Sequence, residues 1–186
     1  MKNAYLTGER VVLRPLEMED LPVLQEGINS PDMRATIAAY RPQNAVSERA
    51  WLENMSLRTD VVHFGIALRE SQELVGSTEL RLGPPPFRAA DLGIGIFQAR
   101  HQGKGYGREA IRLLLGYGFD TLNLHRVGLK VHDNNPRGRR CYEACGFRHE
   151  GTLRQAVWRE GRWWDAHVYG LLEPEWRASQ SARRPV

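Results

Sequence analysis

The sequence predicts one mixed α/β domain, a sheet of about six to seven strands covered by helices. Three observations lead there. Short apolar runs bounded by turn residues recur along the 186-residue chain, as strands do. Ala110, Ile111, Leu114, Leu115, Phe119 and Leu122 return at helical spacing, giving one broad apolar face over about four turns. The two kinds of segment follow the order strand, two helices, three strands, helix, strand, helix, two strands, with no internal repeat or linker.

Arg10 to Arg14 alternates imperfectly and stops at Pro15, as an opening strand would. Asp20 is placed as the N-cap of a short helix carrying Leu21, Leu24 and Ile28 and ending near Asn29 and Pro31. A second helix is expected from Ser47, with Trp51, Leu52 and Met55 on one face. Phe64 to Leu68 and Leu74 to Leu80 form a predicted hairpin around the polar turn Glu70 to Glu73. Gly83-Pro84-Pro85-Pro86 must be a loop, because three prolines remove three ladder donors. Asp91 to Phe97 resumes an extended run, and Gly93 and Gly95 within it suggest close approach of a ligand or another backbone. The long helix starts at Gly107, Val127 to Val131 is a buried strand, and Arg137 to Cys145 is a short helix stopped by Gly146. Two strands flank the Glu160-Gly161 turn. Residues 1–176 are expected to form one domain and 177–186 a polar, mobile tail.

Composition narrows the class. Apolar residues make up 41% and charged residues 26%, as in ordinary globular domains, and no run nears the roughly 18 apolar residues of a membrane span. Met1 to Tyr5 lacks the apolar core of a signal peptide, so a cytoplasmic location is expected. Cys141 and Cys145 are the two cysteines, too few for a disulfide framework and poorly placed for zinc, so no metal is expected. The formal charge is only +4, but Arg100, Lys104, Arg108, Arg112, Arg137, Arg139 and Arg140 cluster around two segments. That suits an anionic ligand; it is too local to argue for nucleic acid.

Gln102, Gly103, Lys104, Gly105, Tyr106, Gly107 and Arg108 open the long helix. Glycines at 103, 105 and 107 allow a tight turn and leave N–H groups uncovered where the helix dipole favours an anion. A diphosphate fits there, although a plain helix start explains the glycines equally. Lys104 is followed by Gly105 and not Ser or Thr, which disfavours a Walker loop. The position past mid-chain disfavours a dinucleotide fold.

Gln102-x-x-Gly105-x-Gly107 resembles the acetyl-CoA signature of the GNAT N-acetyltransferase superfamily. Asn135 to Phe147, with Tyr142-Glu143 followed by Gly146-Phe147, is similar to the superfamily's second motif. Leu13-Arg14-Pro15-Leu16, Asp20-Leu21, Tyr117-Gly118-Phe119, Leu122-Asn123-Leu124, Phe147 to Gly151 and Asp165 to Trp176 extend the likeness over nearly the whole chain. They resemble the branch of ribosomal-protein N-terminal acetyltransferases and spermidine acetyltransferases. One departure is Gly138, where the family more often has Ser or Ala.

The resemblance implies a GNAT-type, mostly antiparallel mixed sheet with helices on both faces, and acetyl-CoA as co-substrate. It implies direct attack of a primary amine on the thioester, Tyr142 as general acid, and backbone N–H groups near Ile96 and Phe97 as oxyanion donors. Asn135 would cap its helix and touch the cofactor, with Arg140 beside it. For the base, Glu79 and Asp91 both stay open, Glu79 being preferred as a mid-strand acid among apolar neighbours. His101 and His132 are weaker candidates. The acceptor is read as a protein or peptide α-amine or lysine, with a polyamine or other small amine, or a non-catalytic CoA-binding module, as alternatives. The absence of acids between Arg34 and Asn44 favours the first. Trp158, Trp163 and Trp164 could wall the acceptor pocket or form a homodimer surface.

Overall fold

The structure, a computed structural model, describes residues 3–37 and 41–181. Eight strands form one sheet: β1 (Leu6–Thr7), β2 (Val11–Arg14), β3 (Val61–Leu68), β4 (Leu74–Leu82), β5 (Ala89–Ile96), β6 (Arg126–His132), β7 (Arg148–Arg159) and β8 (Arg162–Leu172). Their spatial order is β1-β2-β3-β4-β5-β6-β8-β7, and β5–β6 is the parallel pair among antiparallel neighbours. The sheet is thus larger than the expected six to seven strands, because the two-residue β1 is too short to show a period.

Helices α1 (Leu21–Asn29), α2 (Pro31–Thr36) and α3 (Ala45–Leu57) precede β3; α4 (Tyr106–Gly116) lies between β5 and β6, α5 (Pro136–Glu143) between β6 and β7, and α6 (Glu173–Ser181) ends the described chain. The main core joins Leu80, Leu92, Ile111, Leu114, Leu115, Phe119, Val127 and Leu129, so α4 seals one face of the sheet. A smaller core of Leu24, Met33, Leu52, Leu74 and Phe97 packs α1 to α3 against the other.

Several boundaries differ from expectation. Asp20 precedes α1 but does not cap it; its carboxylate accepts from Arg14 Nη1 and Nη2 at 2.7 and 2.8 Å and from the Glu17 N–H at 2.9 Å. The break expected at Pro31 instead starts α2, with Ser30 Oγ accepting the Met33 N–H, because proline suits a first helical position. Helix α3 begins at Ala45: Asn44 Oδ1 accepts the Ser47 N–H at 2.9 Å while Ser47 Oγ accepts the Asn44 N–H at 3.0 Å. Residues 177–181, expected in the tail, continue α6, whose Trp176 is buried beside Phe119. Residues 182–186 of that tail, residues 38–40 of the acid-free loop, and Met1 and Lys2 lie outside the described residues.

The feature that positions the site is a divergence. β5 and β6 share register only from Ala89↔Arg126 to Asp91↔Gly128, although each strand continues for several residues. Beyond that point they part, and a gap opens between their C-terminal halves.

Candidate active site

On one side of the gap a groove of about 550 Å³ runs from the α4 N-terminus to α5. Gly105 holds φ +87° and Gly103 φ +74°, left-handed values that glycine adopts without strain. Gly105 has no side chain to cap α4, and the first intrahelical bond is from the Glu109 N–H to the Gly105 carbonyl at 3.1 Å. The N–H groups of Tyr106, Gly107 and Arg108 therefore precede the helical ladder and face the groove mouth. Gly107 packs beside Ile94 and Ile96, where a Cβ would lie in ordinary contact at 3.7 Å from Ile96, so this position does not demand glycine for packing.

Phe97 donates its N–H to the Val75 carbonyl at 2.9 Å. That corrects one expectation, because the Phe97 N–H is spent in the sheet and cannot also serve an oxyanion. The same bond fixes the alternation of the β4–β5 ladder: Val75 faces Phe97 as a hydrogen-bonded pair, so the Gly76↔Ile96 pair turns its polar groups away from β4. The Ile96 N–H thus points into the gap that β6 has left. Its carbonyl accepts from Gln102 Nε2 at 2.9 Å, so the Gln102 side chain holds Ile96 and does not reach for a ligand.

A second cavity, of about 660 Å³, lies on the opposite face beneath α1 to α3. Its lining includes Glu48, Trp51, His63, Glu79, Arg81, Asp91, Lys130 and His132. Glycines 93 and 95 have distinct neighbours here: a Cβ on Gly93 would meet Glu79 Oε1 at 3.0 Å, and one on Gly95 would meet Met33 Cε at 2.3 Å. The close contacts at these glycines come from the side chains of Glu79 and Met33, where a ligand or another backbone was expected. The two cavities share Met33, Thr36, Ile94, Gly95, Asn135 and Tyr142, so they meet where β5 and β6 diverge.

Tyr142 stands at that junction, only 9% exposed. Burial raises its phenol pKa, and the neighbouring Cys141 and Cys145 add to the shift, so it stays protonated across the neutral range. Asn135 Oδ1 caps α5 through the Gly138 N–H at 2.8 Å. A Cβ on Gly138 would sit 2.7 Å from Asn135 Nδ2, so a larger residue here would require the Asn135 amide to shift. Glu79 is held by Arg81 and lies 3.9 Å from His63 Nδ1, whereas Asp91 is exposed at the cavity rim. His101 is buried behind the glycine turn against Glu73 at 3.1 Å, away from the second cavity. Lys104, Arg108 and Arg140 line the groove as expected from their clustering.

Residues without a sequence signal complete the site. Arg10, from the β1–β2 turn, donates to the Lys104 carbonyl at 2.9 Å, pairs with Glu109 at 3.1 Å and lies over the Tyr106 ring. His63 is half-buried, edge-on to Trp51; desolvation lowers its pKa, partly opposed by Glu79, so the ring is neutral at pH 7. Met33 and Thr36 come from α2, and Glu48 from α3. Of the three tryptophans near the last hairpin, Trp164 is stacked under Arg162 and Trp158 and Trp163 pack edge to face at the exposed β7–β8 tip; none of these three lines either cavity. Among the described residues no group of three His, Cys, Asp or Glu side chains is placed to hold a metal ion. No helix there is long and apolar enough to cross a membrane.

The acetyltransferase (GNAT) domain family matches residues 10–148. The chain belongs to the GNAT acetyltransferase family. Spermidine N(1)-acetyltransferase of Vibrio cholerae is 30% identical over 172 residues, covering 91% of this chain and 96% of that protein. YdaF of Bacillus subtilis, a candidate ribosomal N-acetyltransferase, is 27% identical over 178 residues, covering 93% and 97%. The crystal structure of the Vibrio cholerae spermidine enzyme in complex with CoA and spermine superposes with TM-score 0.83 at 28% identity, covering 90% of this chain and 98% of that one. Both groups named by the resemblance thus stand among the relatives of this GNAT chain.

Proposed function

We propose that this GNAT enzyme transfers an acetyl group from acetyl-CoA to a primary amine, with the donor in the 550 Å³ groove and the acceptor in the 660 Å³ cavity. The observation that carries this reading is the junction of the two at Ile94, Gly95, Asn135 and Tyr142. The groove suits CoA: uncapped N–H groups at the α4 N-terminus, with Arg10, Lys104, Arg108, Arg137 and Arg140 around them, match a diphosphate. In the direct-attack mechanism the Ile96 N–H, aimed into the gap, receives the developing oxyanion. Tyr142 gives its proton to the departing thiolate. The attacking amine must be neutral, and Glu79, with the neutral His63 imidazole 3.9 Å away, is the group placed to take its proton.

The cavity is mixed in charge, Glu48, Glu79 and Asp91 facing Arg81 and Lys130. That favours a peptide or protein amine, which carries amide and carboxyl groups of its own, over a bare polycation. A polyamine is the second reading. It is favoured by Glu48, a 6% exposed carboxylate with no hydrogen-bond or ion-pair partner among the described residues and with its pKa raised by burial. An acceptor panel following thiol release separates the readings: peptides with free N-termini, a lysine side-chain peptide, spermidine, and aminoglycosides. Turnover of spermidine alone, lost in Glu48→Gln, would establish the second reading. Tight acetyl-CoA binding with no turnover of any amine would leave a CoA-binding module.

A further inference from the structure

We infer that Glu48 is a specificity-determining residue of the acceptor cavity, and that the acceptor is a peptide with a free α-amine and a Lys or Arg among its first two residues, whose side-chain cation Glu48 holds. The inference deepens the peptide reading above and rests on it.

Glu48 is 6% exposed, and its side chain has no hydrogen-bond or ion-pair partner among the described residues. Neither of its carboxylate oxygens is sealed within the protein, and the residue lines the acceptor cavity. A carboxylate withdrawn from water without a counter-charge is costly, and burial raises its pKa accordingly. Its place in the first turn of α3, where the helix dipole favours an anion, offsets part of that cost. A cation entering the cavity offsets the rest.

That cation is distinct from the attacking amine. Glu48 and Trp51 stand three residues apart on one face of α3, the Trp51 ring meets the His63 ring at 5.1 Å between centroids, and His63 Nδ1 lies 3.9 Å from Glu79. Two rings therefore separate Glu48 from the carboxylate that takes the amine's proton. The group at Glu79 becomes neutral and attacks; the group at Glu48 keeps its charge. Trp51, lining the same cavity, sets an indole beside Glu48, a surface that guanidinium and ammonium groups favour.

Lys130 argues for a peptide over a polyamine. It is exposed, lines the same cavity from β6, and has no hydrogen-bond or ion-pair partner among the described residues. Its ammonium repels a bare polycation, whereas a peptide brings carbonyl groups that accept from it. A basic residue beside a free α-amine supplies the cation for Glu48 and the carbonyls for Lys130 in one chain.

The full chain is given acetyl-CoA and peptides of alanine with a free N-terminus, carrying Arg at the first or the second position or its uncharged isostere citrulline in the same place, with spermidine alongside; thiol release is followed. Arg is used because its side chain does not itself accept the acetyl group. At one of the two positions the Arg peptide should exceed its citrulline counterpart about ten-fold in kcat/KM, chiefly through KM, and Glu48→Gln should remove most of that difference. Equal turnover of the Arg and citrulline peptides at both positions, a preference that survives in Glu48→Gln, or spermidine turned over faster than either Arg peptide would overturn the inference. The comparison of Arg with citrulline holds in the unaltered chain, whether or not the variant folds. Acetyl-CoA binding without turnover of any amine would overturn the transfer reading as well.

Discussion

Tyr142 illustrates how a residue's role depends on its surroundings. Burial keeps its phenol protonated and places it at the junction of the two cavities. Tyr142→Phe should therefore lower kcat by about 10²-fold or more while acetyl-CoA affinity is kept, as read by thiol release and calorimetry. Asp20 teaches the opposite lesson. Its place before an apolar helix imitates a cap, yet its two oxygens are taken by the buried Arg14, whose pKa is raised by that hydrogen bond. Removing one partner strands a buried charge, so Asp20→Ala should destabilise the fold by about 3 kcal/mol in urea titration. His63 gives a pH dependence. Its folded pKa is depressed by burial below the ordinary 6.5, so the unfolded chain takes up the proton first. Stability from this group is present above about pH 6.5 and is lost as pH falls below it, a loss that His63→Gln should reduce when urea midpoints at pH 7.5 and 5.5 are compared.

Elements were legible in proportion to how local their causes are. Helix α4 has a long apolar period and a glycine start, and the Tyr142 helix has an Asn cap and a Gly146 stop at φ +102°, so both were found from residues alone. The six-residue α2 and the two-residue β1 carry no readable period, and α2 was hidden by a proline that marks a stop as readily as a start. The glycine turn also shows what a motif leaves undecided. Gln102 belongs to the signature, yet its amide is spent on the Ile96 carbonyl, steadying the backbone whose N–H faces the gap. Gly105 combines a left-handed backbone with a neighbour, Arg10 Nη2, 2.9 Å from where a Cβ would lie. Gly105→Ala should cost about 1 kcal/mol of stability and weaken acetyl-CoA binding, both measurable by thermal unfolding with and without ligand.

Over the whole molecule the decisive event is the parting of β5 from β6, which opens the gap, and the packing of α2 across it. Asn134 Nδ2 donates to the Ala35 carbonyl at 2.8 Å, tying the end of α2 to the loop before α5 across 99 residues of sequence. Asn134→Ala should loosen the wall shared by both cavities, raising KM for acceptor and donor with a smaller change in kcat, as steady-state kinetics would read. Local chemistry was sufficient for the class of fold, the glycine turn that opens α4 and the Tyr142 helix, because glycine conformations, caps and apolar periods act over a few residues. That the Phe97 N–H is spent and the Ile96 N–H is not, and the parts taken by Arg10, His63 and Glu48, came into view only with the tertiary structure. Each depends on which strand lies alongside which, and on where it stops doing so, and such long-range pairing leaves no trace in the neighbouring residues.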